Sequence, residues 1–130
     1  MANCKFPKKA RIPSKKDFRA IFDYKLFSRN DLMTLYIAPN SLKTTRFAVS
    51  ISSKIAPAAA RNRLKRLARE AFRLSQNEVL PGLDYLIIYS PMLSKKPCSD
   101  IKKTALSKIK GSFIELARQG QKRFEKRTNK

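Results

Sequence analysis

A single α+β domain is the fold class this sequence predicts: an α-β sandwich in the order αβββαβα, with helices packed against a four-stranded mixed sheet. Three observations carry that reading. Residues 46–52 alternate with a period of two, residues 60–74 carry an apolar stripe at helical spacing, and residues 84–89 are apolar on both sides. The 130 residues fit one domain, 1–130. At this size a chain buries roughly two-thirds of its unfolded surface, enough for a true core.

The elements follow in chain order. The first helix is expected from Ser14, with Asp17 three residues on at capping-box spacing. Phe18, Ile21 and Phe22 then fall at i, i+3 and i+4 and give it an aromatic stripe. A short extended piece over 25–29 leads to a strand at 32–37, ended by Pro39 and Asn40. In that strand Thr34 and Tyr36 share one face, and Met33, Leu35 and Ile37 the other. In the 46–52 strand Phe47, Val49 and Ile51 share one face. Ala48, Ser50 and Ser52 form the other, small enough for a ligand backbone to come close. Leu64, Leu67, Ala68, Ala71 and Phe72 line the inner side of helix 60–74. Pro81-Gly82 breaks the chain before strand 84–89, whose two apolar faces make it central and suit parallel pairing with 46–52. A last helix is expected over 100–117, facing inward through Leu106, Ile109, Phe113 and Leu116. Residues 1–10 and 119–130 are read as basic, flexible ends.

Charge narrows the function. Thirty Lys and Arg stand against nine Asp and Glu, for a formal net charge of +21. A compact domain with that excess repels itself unless a polyanion neutralises it, so nucleic acid is the expected partner. The basic residues cluster: nine in 1–30, six in 61–73 and twelve in 95–130, with none in 74–94. No apolar run approaches the ~18 residues that span a bilayer, so no membrane-spanning segment is expected, and an anionic membrane surface is the weaker alternative to nucleic acid. The N-terminal stretch has no apolar h-region, which points to a cytoplasmic protein. With no His, imidazole catalysis and His-ligated metals are excluded, and Cys4 and Cys98 are too far apart in sequence for a CxxC motif. No carboxylates lie close together in sequence and no Gly-rich phosphate cradle is present.

The densest signal is the helix beginning Arg61-Asn62-Arg63-Leu64-Lys65-Arg66, continued by Arg69-Glu70. A solvated face normally mixes signs to gain i, i+4 pairs, whereas this arc is almost wholly positive. Like charges on successive turns destabilise a helix by a few tenths of a kcal/mol per pair, and phosphates reverse that sign. Preceded by Ser50-Ile51-Ser52-Ser53-Lys54-Ile55 and a short Ala/Pro linker, this set resembles the bacterial ribonuclease P protein family, whose signature is the Arg-Asn-Arg helix. The resemblance runs from Arg11-Ile12 and Asp17-Phe18 through Phe22 and Leu35-Tyr36 to Pro81 and Asp84-Tyr85, covering about 8–116. Ser53-Lys54 replaces the usual Lys-Lys, and Ala56 followed by Pro57 replaces the linker Gly.

The resemblance implies a subunit of the endonuclease that removes 5′ leaders from precursor tRNA. In that family the RNA is the catalyst, working with magnesium that it mainly holds itself, and the protein alone is expected to be inactive. It also implies a left-handed βαβ crossover. Arg61, Asn62, Arg63, Lys65, Arg66 and Arg69 are then expected to bind the catalytic RNA. Arg11, Phe18, Phe22, Tyr36, Ser50, Ser52 and Lys54 are expected to form a cleft for the leader. Aromatics on a helix and strand are more often core. Here the polar neighbour Thr34, and the family's central cleft, favour partial exposure. A ribosomal-type protein or RNA chaperone explains the charge equally well but not the ordered set of motifs. A groove-binding DNA protein would need a helix-turn-helix partner or a dimer surface, and a standalone nuclease a carboxylate cluster. Nothing in the sequence fixes an oligomeric state.

Overall fold

In the computed structural model, residues 11–12, 15–40, 44–96, 100–101 and 103–128 are described. Helix α1 (Lys15–Tyr24) is followed by strands β1 (Phe27–Arg29), β2 (Met33–Pro39) and β3 (Arg46–Ser50). Helix α2 (Ala58–Leu74), strand β4 (Leu83–Tyr89) and helix α3 (Leu106–Thr128) follow, with short 3-10 turns at Gln76–Glu78 and Pro91–Lys95. The sheet order is β1-β2-β4-β3, with β2 antiparallel to β1 and β4, and β3 parallel to β4. The expected α+β class, the mixed four-stranded sheet and the central place of β4 are all present.

The main core lies between one face of the sheet and helices α2 and α3. Met33, Leu35 and Ile37 of β2, Phe47 of β3 and Tyr85, Ile87 and Tyr89 of β4 point there, onto Leu64, Ala68 and Phe72 of α2 and Ile109, Phe113 and Leu116 of α3. Phe47 stacks on Phe72 at 4.7 Å between ring centroids, and Phe113 meets both edge-on. The two buried phenols are satisfied: Tyr85 donates to the Leu80 carbonyl (2.6 Å) and Tyr89 to the Leu64 carbonyl (2.8 Å). Burial pushes both hydroxyls well above the ordinary phenol range.

A smaller core forms on the opposite face, where Ile21 of α1 packs with Ile12, Ala38 and Leu86. Beside it Arg46 is 6% exposed and Asp84 3% exposed. The Arg46 guanidinium donates twice to Asp84 (2.8 and 2.7 Å) and once to Asp17 of α1 (3.3 Å). Asn40 donates to Asp84 as well (2.7 Å). The two carboxylates raise the Arg46 pKa further, chiefly through the Asp84 hydrogen bond. Asp17, placed by its spacing at a helix cap, thus also ties α1 to the sheet; Ser14, the expected cap, lies outside the described residues.

Several boundaries differ from expectation: β2 extends to Pro39 and α2 begins at Ala58. Strand β3 stops at Ser50, so Ile51 and Ser52 belong to the turn before α2. The last helix begins at Leu106 rather than 100 and runs to Thr128, so the stretch read as a flexible end from 119 is helical through 128. Its inward stripe continues through Leu116, Ala117 and Gly120, all buried, to half-buried Phe124. Residues 1–10 and 129–130 lie outside the described residues.

Candidate nucleic-acid interface

Strand alternation and register decide what the α1 side of the sheet presents. Directly paired residues share a face, so Phe27, Tyr36, Leu86 and Ala48 form one row across the four strands. Arg29, Thr34, Ile88 and Ser50 form the next row. The row beyond, Ala38, Asp84 and Arg46, is the one that α1 covers through Asp17 and Ile21. Helix α1 spans only 10 residues, and apart from buried Leu86 the side chains of the first two rows are half-buried or exposed.

On this floor the predicted aromatics come together. Phe22 of α1 meets Tyr36 edge-on at 5.0 Å, and Phe18, one turn earlier, packs against the small core. Phe18 and Tyr36 are half-buried and Phe22 is 40% exposed, the partial exposure expected of them. The structure adds Phe27, whose ring lies tilted against Tyr36 at 5.3 Å and which is 39% exposed. Sequence reasoning missed it because a three-residue strand shows no periodicity; only the register against β2 puts it opposite Tyr36. Ser50, Ser52 and Lys54 are exposed at the end of β3 and in the turn that follows, where Ser52 Oγ accepts from the Lys54 amide (3.2 Å).

The basic helix divides into outward and anchoring residues. Asn62, Arg66 and Arg69 are exposed, and Lys65 is half-buried. Arg61 bonds the Ala56 carbonyl (3.0 Å) and Arg63 the Thr104 carbonyl (2.8 Å), so each guanidinium also holds a loop in place. Glu70, the one acid of this arc, pairs with Arg73 and leaves Arg66 and Arg69 outside any ion pair among the described residues. The guanidinium holds the Glu70 carboxyl below the usual range through that hydrogen bond. Arg11 bridges to Phe47 along the free edge of β3, and with Ile12, Ala48 and Arg69 it lines one hollow there. The residues expected to contact catalytic RNA and those expected to contact the leader therefore meet at the β3 edge, through Arg69 and Arg11.

Among the described residues no three His, Cys, Asp or Glu side chains cluster to hold a metal. The close carboxylates Asp17 and Asp84 already share a guanidinium, which repels a divalent cation. Magnesium does not fit these residues.

Comparison with known proteins gives one answer. The family model described as "Ribonuclease P" matches residues 6–112. A ribonuclease P protein component of Bacillus cereus (strain B4264) is 31% identical over 121 residues, covering 92% of this chain and 98% of its own. One from Photorhabdus laumondii is 33% identical over 114 residues, 87% of this chain and 91% of its own. Among solved structures, the RNase P protein of Thermotoga maritima superposes with a TM-score of 0.72 at 23% identity, over 84% of this chain and 96% of its own. The Staphylococcus aureus protein gives 0.69 at 24%, over 84% and 93%; these two likenesses establish the fold. With the fold, the Arg-Asn-Arg helix and the matched relatives in agreement, the chain belongs to the ribonuclease P protein family, as a protein component of that ribonucleoprotein endoribonuclease.

Proposed function

We propose that this protein binds the catalytic RNA through the outer face of α2 and receives the single-stranded 5′ leader of precursor tRNA on the open face of the sheet. The observation that carries the second half is the floor itself: an aromatic cluster over a row ending in Ala48, beside a row ending in Ser50. Flat aromatic faces stack any base, so leaders of different sequence fit one surface, at roughly 1–3 kcal/mol per stacked base. Arg11 at the β3 edge and Lys54 in the following turn supply positive charge for the leader phosphates. Precursor is then favoured over mature tRNA, because only the precursor offers a strand to stack.

For α2 the warrant is exposure and sign. Arg66 and Arg69 point outward with no acid paired to them among the described residues, and a guanidinium fork bonds two phosphate oxygens at once. Replacing both by Ala should flatten the log-salt slope of catalytic-RNA binding by about one unit per lost phosphate contact. An unchanged slope counts against α2 as the contact. Magnesium is assigned to the RNA, and the complex to the cytoplasm. The deciding experiment is precursor-tRNA cleavage by protein alone, by cognate catalytic RNA alone at low magnesium, and by the two together. Activity is expected of the pair, and cleavage by RNA-free protein overturns the proposal.

A further inference from the structure

Among the described residues four large apolar side chains are exposed: Phe22, Phe27, Leu74 and Met92. Both phenylalanines contact one ring, Tyr36, from different elements. Phe27 stands at the outer edge of the floor, on β1, with exposed Arg29 on the same face one pair along. A three-residue strand paired on one side only is a poor mount for a binding residue, since such edges open readily.

The end of α3 remedies that. The Leu26 carbonyl accepts from the Ile37 amide (3.0 Å), so the next carbonyl, that of Phe27, turns away from β2. Arg123 of α3 donates to it. One turn on, Arg127 donates to the Tyr24 carbonyl (2.5 Å) and the Lys25 carbonyl (3.0 Å), and its guanidinium lies 4.8 Å over the Tyr24 ring. Lys25 is the one described non-glycine residue with positive φ, 58°, and its amide bonds the Phe22 carbonyl (3.1 Å). The two arginines thus grip the corner that joins Phe22 to Phe27 across 96 to 103 residues of sequence. Gly120 marks the close approach of α3 to the sheet: a Cβ there would lie 2.4 Å from Ile37 Cδ1, so a larger residue would make that side chain shift.

We propose that Phe27 is an additional base-stacking position at the β1 edge of the leader cleft, and that Arg123 and Arg127 are positioning residues that hold it in register with Tyr36. The proposal rests on the leader-cleft reading and adds a position and a support to it. Its ligand is one further unpaired base of a single strand, bound by stacking and therefore without sequence preference.

The test measures affinity of the assembled protein–RNA complex for precursor tRNAs of increasing leader length and for mature tRNA. Phe27→Ala should weaken long-leader precursors by roughly fivefold or more, leaving mature tRNA and the shortest leader unchanged. Phe27→Trp should restore the loss. Arg123→Ala combined with Arg127→Ala should reproduce it with Phe27 present, and add nothing in the Phe27→Ala background. An equal loss at every leader length, or none, overturns the proposal. Tyr36→Ala separates the two readings: if it weakens precursor binding while Phe27→Ala does not, the cleft stands without the added position, and if neither does, the cleft reading falls too. Should the double arginine variant fail to fold, Phe27→Ala and its Trp rescue still decide.

Discussion

The two faces of the sheet are made by the same strands from alternate residues, yet one is dry and the other open. On the α2–α3 side β4 contributes Tyr85, Ile87 and Tyr89, all at 1% exposure or less and all within the main core with the helix residues. On the α1 side the same strand contributes Leu86, which the small core buries, and half-buried Ile88, paired with small Ser50, which is exposed. Two helices of 17 and 23 residues cover the first face, and one of 10 residues crosses the second. Side-chain size on β3 and helix length together determine which face is core and which is surface. The polar fixtures differ in the same way. The dry face holds its phenols on backbone carbonyls, whereas the open face is closed at one end by an ion-paired guanidinium.

The largest effect expected from breaking this contrast lies on the dry face. Phe72→Ala removes a ring packed against Phe47, Tyr85 and Phe113, and should cost about 3–5 kcal/mol in urea unfolding. A much smaller loss would mean that this face is not the main core. On the open side, Arg46→Met leaves Asp84 buried without its cation and should cost on the order of 3 kcal/mol. Adding Asp84→Leu should recover much of that, a double-mutant cycle that isolates the pair from simple packing. Tyr36→Ala should sharpen the difference between the faces. Precursor binding should weaken by roughly 1–3 kcal/mol, with less loss of melting temperature than Phe72→Ala and mature-tRNA affinity unchanged. A further effect, confined to alkaline solution, concerns pH. Tyr85 and Tyr89 keep their protons in the folded state above the ordinary phenol value of 10.0, so above it the unfolded chain binds fewer protons than the native one. Stability therefore falls as pH rises past about 10, by about 1.4 kcal/mol per unit for each phenol. Alkaline unfolding of a Tyr85→Phe/Tyr89→Phe variant should lack that slope; an unaltered profile would place water beside those rings.

Much of this architecture was legible before any coordinates. Period two at 46–52, the stripe of 60–74 and the doubly apolar 84–89 each reflect a local rule, so they identified β3, α2 and β4. Phe18, Phe22 and Tyr36 were singled out through a resemblance and a strand face, and the structure shows them partly exposed. What escaped depends on distance in sequence. Phe27 needed the register of β1, Arg46 needed two carboxylates 29 and 38 positions away, and Arg61 and Arg63 disclosed their loop contacts only once the loops were placed. The end of α3 was different. Phe113, Leu116, Ala117, Gly120 and Phe124 continue an i, i+3, i+4 pattern that was available, but Lys and Arg between them made the segment look like a solvated tail.

Gly120 makes the end of α3 useful as an instrument. The buried stripe of α3 packs the helix against the sheet up to Gly120, and the six residues from there to Lys126 advance only about 9 Å along the helix axis. A fluorophore or spin label at exposed position 126 would thus ride on a short stiff mast beside the aromatic corner, free of the positional blur of a flexible tether. Distances taken from it to a label on RNA would map the path of a bound strand over the protein surface.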